Sequence, residues 1–271
     1  MSKITENNTE WVSAQNIGEL AEKFGTRLKG GGAHQSKTMM LKELENLLAS
    51  ETTDDLGVRK LIIEENILGK STEKTRLLTF RHLNSLYGIE AMPPISKTLF
   101  ALWPLEPEAR PLLALLCALA RDPLLRDSAS AIFEAPVGEP VKWPKIAEVF
   151  DTIHPGRFSE KMLRSLSQNC ASTWTQSGHL VGSMKKLRAR ISPTPNVAAF
   201  AALIAANCGF GGPVLLTSTW LRVLDVSAER ALDLLRQAEA RGLARVRSAG
   251  DVTEISVRKP MATMLGVEDL V

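Results

Sequence analysis

Residues 155–195 read PGRFSEKMLRSLSQNCASTWTQSGHLVGSMKKLRARISPTP, and the fold turns on how this stretch is parsed. Ser159 is a strong N-cap residue, so a helix is predicted from there to Gln176–Ser177–Gly178, where glycine stops it. Met162, Leu163, Leu166 and Cys170 recur at helical spacing and make its inner stripe. Lys161, Arg164, Ser165, Gln168, Asn169 and Ser172 remain as the polar side. Beyond Gly178, residues 179–191 alternate in part, with Gly182 suited to a hairpin tip, and they carry Lys185, Lys186, Arg188 and Arg190. A shorter helix is predicted just upstream, over residues 144–153, with Pro144 in its first turn. Helix, tight turn at His154–Arg157, capped helix and basic segment is the order of a helix-turn-helix with a wing.

Charge singles out the same stretch. Seven cations stand against Glu160 alone, a net +6, while the whole chain carries +3 and the remainder is therefore −3. A charge run is usually a solvated face, but +6 on one capped helix and its tail suits a polyanion better than solubility alone requires. Lys185, Lys186, Arg188 and Arg190 are predicted to neutralise phosphates, and Lys161 and Arg164 to position the helix. Gln168 and Asn169 have the amides that can read adenine edges.

The rest of the chain is predicted to be mainly α and multi-helical. Its 271 residues are 44% hydrophobic, with Leu and Ala dominant and aromatics at 5%, which favours helices over sheets. Proline-rich joints at Pro93–Pro94 and Pro193–Pro195 divide it into 1–92, 93–195 and 196–271. In the first segment helical periodicity starts near Trp11 and runs through Ile17, Leu20, Ala21 and Phe24. Residues 58–87 then give two helices broken at Gly69, the second capped by Ser71 and stopped by Gly88. This is a second helix-turn-helix candidate, bearing Arg76 and Arg81; a plain αα-hairpin is the competing reading. In the middle segment the apolar run Pro111–Ala120 is about half the ~20 residues a membrane span needs, so it reads as a buried helix. Asp122–Pro123 breaks it, and Arg121, Asp122, Arg126 and Asp127 read as a structural charged seam at the surface or between domains. Residues 136–144 read as a loop. In the last segment 197–208 is an apolar helix and 217–224 another. Ser227 caps a helix that Gly242 ends, and residues 244–257 form a hairpin turning at Ala249–Gly250. That order is a winged-helix signature. Its second helix balances Arg230, Arg236 and Arg241 against Glu229, Asp233 and Glu239, which suits protein docking as well as DNA.

Catalytic chemistry finds little support. From Gly31 the chain matches G-x-x-x-x-G-K-[ST] except that Ser36 occupies the second glycine position, and no buried strand precedes it. Ser36 reads instead as the N-cap of a helix bearing Met39, Met40, Leu44, Leu47 and Leu48. Cys117, Cys170 and Cys208 lack CxxC spacing and read as buried reduced thiols. The four histidines, His34, His82, His154 and His179, lack metal-ligand spacing, and His179 reads as a satisfied or phosphate-facing side chain. No cofactor, metal or catalytic residue is expected, and the N-terminus shows no signal peptide, which implies a cytoplasmic protein.

Three phrases carry a resemblance: RKLIIEENILGKSTEKTRLLTFRHLNSLYG at 59–88, RPLLALLCALARDPLLR at 110–126 and SLSQNCASTWTQSGHLVGSMKKLRAR at 165–190. From about residue 36 onward the chain resembles the BrxA-type proteins of BREX phage-defence clusters. The resemblance implies a helical protein, NusB-like in part, that binds double-stranded DNA through helix-turn-helix elements, here 58–87 and 157–190. The expectation is a non-enzymatic DNA-binding accessory of a bacterial defence complex, with duplex DNA and other defence proteins as partners and no membrane contact. Two alternatives stay open. One is an assembly adaptor that docks through the C-terminal wing and the Trp103, Trp143, Trp174 and Trp220 surfaces. The other is a NusB-type RNA-binding factor.

Overall fold

An apolar helix that no single neighbour can cover organises the architecture. In α11 (Pro195–Asn207) every residue except Ala206 is buried. Ten of its thirteen positions are Ala, Leu, Ile, Val or Phe without a polar face, so it must be wrapped on all sides. It packs against α1 (Gly18–Phe24), α5 (Pro94–Leu102), α6 (Arg110–Arg121), α12 (Gly212–Leu216), α13 (Thr219–Arg222) and α14 (Ala228–Ala240). The coordinates are a computed structural model describing residues 10–13, 18–50, 57–249 and 252–271. The buried apolar residues form one contiguous core from Trp11 to Leu270, crossing all three expected segments. Among the described residues no helix is long and apolar enough to cross a membrane.

Among the described residues the molecule is mainly helical, with two small antiparallel two-stranded sheets. The remaining helices are α2 (Leu41–Leu48), α3 (Val58–Ile63), α4 (Glu73–Tyr87), α7 (Pro123–Asp127), α8 (Ala129–Phe133), α9 (Trp143–Ile153), α10 (Glu160–Gln176) and α15 (Arg258–Leu265). Strands β1 (Leu180–Val181) and β2 (Leu187–Arg188) pair after α10; β3 (Arg245–Ala249) and β4 (Val252–Ser256) pair after α14. The two halves use one local code. Ser159 and Ser227 each accept a hydrogen bond from the backbone three residues on, and Gly178 and Gly242 take the left-handed turn that ends each helix.

Several local expectations need correction. Ser36 does not cap α2, which starts at Leu41 behind Met40 in a left-handed conformation. The burial of Met39 and Met40 overrides the capping preference there. Thr72, not Ser71, caps α4, accepting from the Thr75 N–H at 3.2 Å. Residues 217–224 are not one helix: Ser218 interrupts them and α13 is only four residues long. Residues 136–142 form a loop, as expected, and its middle is tied down. The Gly138 and Val141 N–H groups donate to the Arg188 and Lys186 carbonyls, and the Arg188 N–H returns a bond to the Glu139 carbonyl, giving one isolated antiparallel bridge, Pro140 to Leu187, beside β2. Ile17 and the turn at Gly250 lie outside the described residues.

The charged seam is structural, as expected, but it lies inside the protein. Asp122 caps α7 through one carboxylate oxygen, accepting from the Leu124 and Leu125 N–H groups. Its other oxygen takes the His34 backbone N–H at 3.1 Å and meets His34 Nδ1 at 2.7 Å. Arg121 donates to the carbonyls of Gly25, Asn84 and Ser85, and Arg126 to those of Arg27, Leu119 and Ala120. Asp127 meets His154 at 2.7 Å. Four adjacent charges therefore fasten α1, the glycine-rich segment, α4 and the end of α9 to one joint.

One residue of the glycine-rich segment, Gly32, is fixed by this joint. Gly32 has an ordinary extended φ of −122°, so conformation does not require glycine. Space does: a Cβ at Gly32 would overlap the Asp122 carboxylate, whereas one at Gly31 would meet only the flexible end of Gln35 at 3.0 Å. Gly32→Ala is therefore expected to lower stability by about 2–4 kcal/mol or more, the range for a buried clash against a hydrogen-bonded carboxylate. Gly31→Ala should cost under about 1 kcal/mol. Urea denaturation of the two variants checks this, and equal losses would refute the packing explanation.

Candidate nucleic-acid interface

Helix α10 has two faces held in place by different chemistry. Leu166, Ser167, Cys170, Ala171, Thr173 and Trp174 are buried. Thr173 Oγ1 accepts the Met39 N–H at 2.8 Å and lies 2.8 Å from His34 Nε2, which continues the chain to Asp122. The Trp174 indole N–H donates to Ser128 at 2.9 Å. These bonds fix the rotation of α10 about its axis. At about 100° per residue, Lys161, Arg164, Ser165, Gln168 and Ser172 then share one sector on the opposite side. All are exposed except Ser172, which is half-buried.

Asp122, His34 and Thr173 have the spacing of a hydrolytic triad, but His34 and Thr173 are fully buried and Asp122 nearly so. No substrate can reach the hydroxyl, and that hydroxyl already accepts an amide. Burial alone would raise the Asp122 pKa; the charge of His34 and the hydrogen bonds from His34 and Leu125 outweigh it and hold the carboxyl below its usual range.

An open groove of about 840 Å³ lies between α10, the start of α9 and the β1–β2 loop. Gln168, Asn169 and Ser172 line it from α10, Lys142 and Trp143 from α9, and Ser183, Met184, Lys185 and Lys186 from the loop. Three lysines and no carboxylate face this space among the described residues. The Arg164 guanidinium stacks over the Trp143 ring at 5.4 Å, extending the cationic surface along α10. The two helices pack directly, and the bridged loop at 138–141 holds the start of α9 against β2.

The ten residues singled out from sequence separate into three groups. Lys161, Arg164, Gln168, Lys185 and Arg190 are exposed and carry no hydrogen bond that anchors them to the fold. Lys186 and Asn169 line the groove but are partly engaged. The Lys186 ammonium donates to Thr175 at 2.8 Å, and the Asn169 amide donates to the His34 carbonyl at 2.9 Å. Arg188, Arg76 and Arg81 lie elsewhere. Arg76 and Arg81 sit on α4, which contributes nothing to the groove; Arg76 is half-buried against the Glu64 carbonyl and Arg81 is exposed.

Arg188 is the clear correction. It is only 5% exposed. Its guanidinium donates to the carbonyls of Ile132, His179 and Ala189 and pairs with Asp225. It is a clasp joining α8, the β1–β2 hairpin and the loop before α14; four of its five N–H donors are used inside the protein, and its burial keeps it from a phosphate. The sequence expectation splays Lys185, Lys186, Arg188 and Arg190 over both faces of this segment with all four free for phosphates; the buried Asp225 partner and three carbonyls draw Arg188 inward instead.

His179 is the satisfied histidine of the two alternatives, and it faces no solvent. Its Nε2 lies 2.8 Å from the Val223 carbonyl, which can only accept, so Nε2 carries a proton and Nδ1 meets Ser177 at 2.9 Å. Its ring packs edge-on against Trp174 at 4.8 Å. Burial lowers its pKa from 6.5 to about 4.

Sequence reasoning did not place Lys142 or Met184 in the site. A lysine directly before a predicted helix start was the available sign of the first; nothing local marked the second. Comparison with protein-family models and with curated proteins yields no match.

Two expectations follow for the clasp. Arg188→Ala leaves the Asp225 carboxylate and three carbonyls without their donor and should cost about 3–5 kcal/mol; Lys185→Ala should change stability by less than about 0.5 kcal/mol. Denaturation midpoints separate them, and a harmless Arg188→Ala would place that side chain outside. The second concerns pH. With His179 titrating near 4 in the folded protein and near 6.5 unfolded, only the unfolded chain takes up the proton between these values. Stability should thus fall by about 1.4 kcal/mol per pH unit as pH drops through that window. The Asp122 contribution is lost only at lower pH, below the usual carboxylate range. Urea titrations of wild type and His179→Gln should diverge in slope above pH 4; parallel slopes would contradict the buried neutral imidazole.

Proposed function

We propose that the protein binds duplex DNA non-enzymatically, with α10 entering the major groove and the β1–β2 loop lying on the flanking backbone. The carrying observation is the convergence of the outward face of α10, the start of α9 and the β1–β2 loop on one cationic groove without a carboxylate. Helix α8, the bridged loop at 138–141, α9, α10, β1, loop and β2 follow one another in an order similar to that of a winged helix-turn-helix, with the bridged loop beside β2. Lys161, Arg164, Lys185 and Lys142 serve as phosphate contacts, and Gln168, whose amide is free of the fold, as the base-reading residue. Asn169 and Arg188 act through the fold rather than on DNA. A cationic groove with no carboxylate lining it among the described residues favours binding over catalysis.

The resemblance to BrxA-type proteins gives this reading its setting, a cytoplasmic accessory of a phage-defence complex. The C-terminal unit supports a second role within it. There α13, α14 and the β3–β4 hairpin repeat the arrangement, but the outward face of α14 alternates sign, with Asp233 and Arg236 paired at 3.5 Å. We assign that unit, as a second winged helix, to a protein partner.

Electrophoretic mobility shifts at two salt concentrations test the reading. The triple variant Lys161→Ala, Arg164→Ala, Lys185→Ala should bind duplex more weakly across sequences, and its salt dependence should flatten by roughly two to three units in log–log slope. Gln168→Ala should instead alter preference among sequences. Unchanged affinity and slope in the triple variant would overturn the assignment, and a preference for RNA over duplex DNA would move the groove to a different ligand.

A further inference from the structure

Met184 has full exposure, 100%, at the tip of the β1–β2 loop. The other large apolar side chains on the surface range from 38% to 59%, apart from the terminal Val271. Solvent gains nothing from a bare thioether, and no neighbour in the fold covers it.

The loop that carries it is built to hold its shape. Gly182 has φ +99°, and a Cβ there would overlap the Lys185 carbonyl oxygen, so the turn closes only on glycine. Leu187 pairs with Val181 on one side of the turn. Lys186 is held twice, by its ammonium on Thr175 and by its carbonyl on the Val141 N–H at 2.9 Å. Methionine is adaptable, but its base is fixed by these bonds. Lys185 stands exposed beside it, and Lys142 and Lys186 line the same groove.

An apolar side chain on a stiff tip ringed by cations fits one partner chemistry: the phosphate rails of a nucleic-acid duplex with stacked bases between them. We infer that Met184 is a wedge that enters the minor groove next to the α10 contact and partly unstacks one base step, bending the duplex. This rests on the duplex-binding reading above and adds a distinct claim, deformation of the DNA. Lysine contacts hold the backbone while the thioether replaces part of a base stack, and pyrimidine–purine steps such as TA yield most easily.

The test uses the full chain with short duplexes carrying 2-aminopurine beside a single TA step and a fluorophore pair at the ends. Wild type should raise 2-aminopurine emission and shorten the end-to-end distance, more for the TA duplex than for a G·C-rich one. Met184→Gln should bind about tenfold more weakly, the scale of one methionine lost from an apolar environment, with the salt slope unchanged because no charge is removed. It should lose the emission rise, and Met184→Leu should restore it. Binding by wild type without unstacking, or unstacking that survives Met184→Gln, overturns the wedge alone. Absence of duplex binding by wild type overturns both the wedge and the reading beneath it.

Discussion

One buried contact sets the geometry of the rest, the Asp122 carboxylate against His34. That carboxylate starts α7, receives both the backbone and the ring of His34, and leaves no room for a side chain at Gly32. Through His34 it reaches Thr173, and through the His34 carbonyl it reaches Asn169. A buried polar chain of this kind stabilises only when every member has a partner; removing one strands the others at a cost of about 3–5 kcal/mol. The same seam fastens α4 through Arg121, the Arg27 segment through Arg126 and the end of α9 through Asp127.

The consequence reaches the surface. With Thr173 and Trp174 locked inward, α10 has one permitted rotation, and that rotation turns Lys161, Arg164 and Gln168 outward. The β1–β2 hairpin is set by a second buried clasp, Arg188 on Asp225 and three carbonyls, which aims Lys185 and Met184 beside the same helix face. Of the seven cations that make residues 155–195 basic, Arg188 is consumed in building the platform, Lys186 is partly engaged by Thr175 and Arg157 packs on Phe158, so four remain free of the fold's hydrogen bonds. Net charge alone overstates the number of ligand contacts in a small sheet of this kind.

Features governed by neighbours in sequence were legible there. Ser159 and Ser227 cap the helices expected of them, Gly178 and Gly242 end them, Asp122–Pro123 divides α6 from α7, and the apolar run of α11 is buried as its composition requires. The polar face of α10 follows from helical periodicity, as does the burial of Leu166 and Cys170, but Met162, expected in the same inner stripe, is 39% exposed and Leu163 only half-buried. What escaped detection depends on distant partners. His34 and Asp122 are 88 residues apart, and Arg188 and Asp225 are 37 apart, so neither pairing leaves a local mark. The segment 138–141 is the proline-bounded loop that it looks like, but its bonds to β2 leave no local mark. Gly32 resembles part of a phosphate loop because glycine is demanded there by a carboxylate rather than by an anion.

The central claim is that the inward locking of α10 exists to present its other face, with the β1–β2 loop, to a duplex. Amide hydrogen exchange of the full chain with and without a saturating DNA duplex tests this most directly. The account predicts added protection at residues 142–145, along 161–172 and across 182–187, with the α4 and α14 surfaces unchanged. Protection confined to α4 or to the β3–β4 hairpin, or none at α10 while DNA is bound, would contradict it.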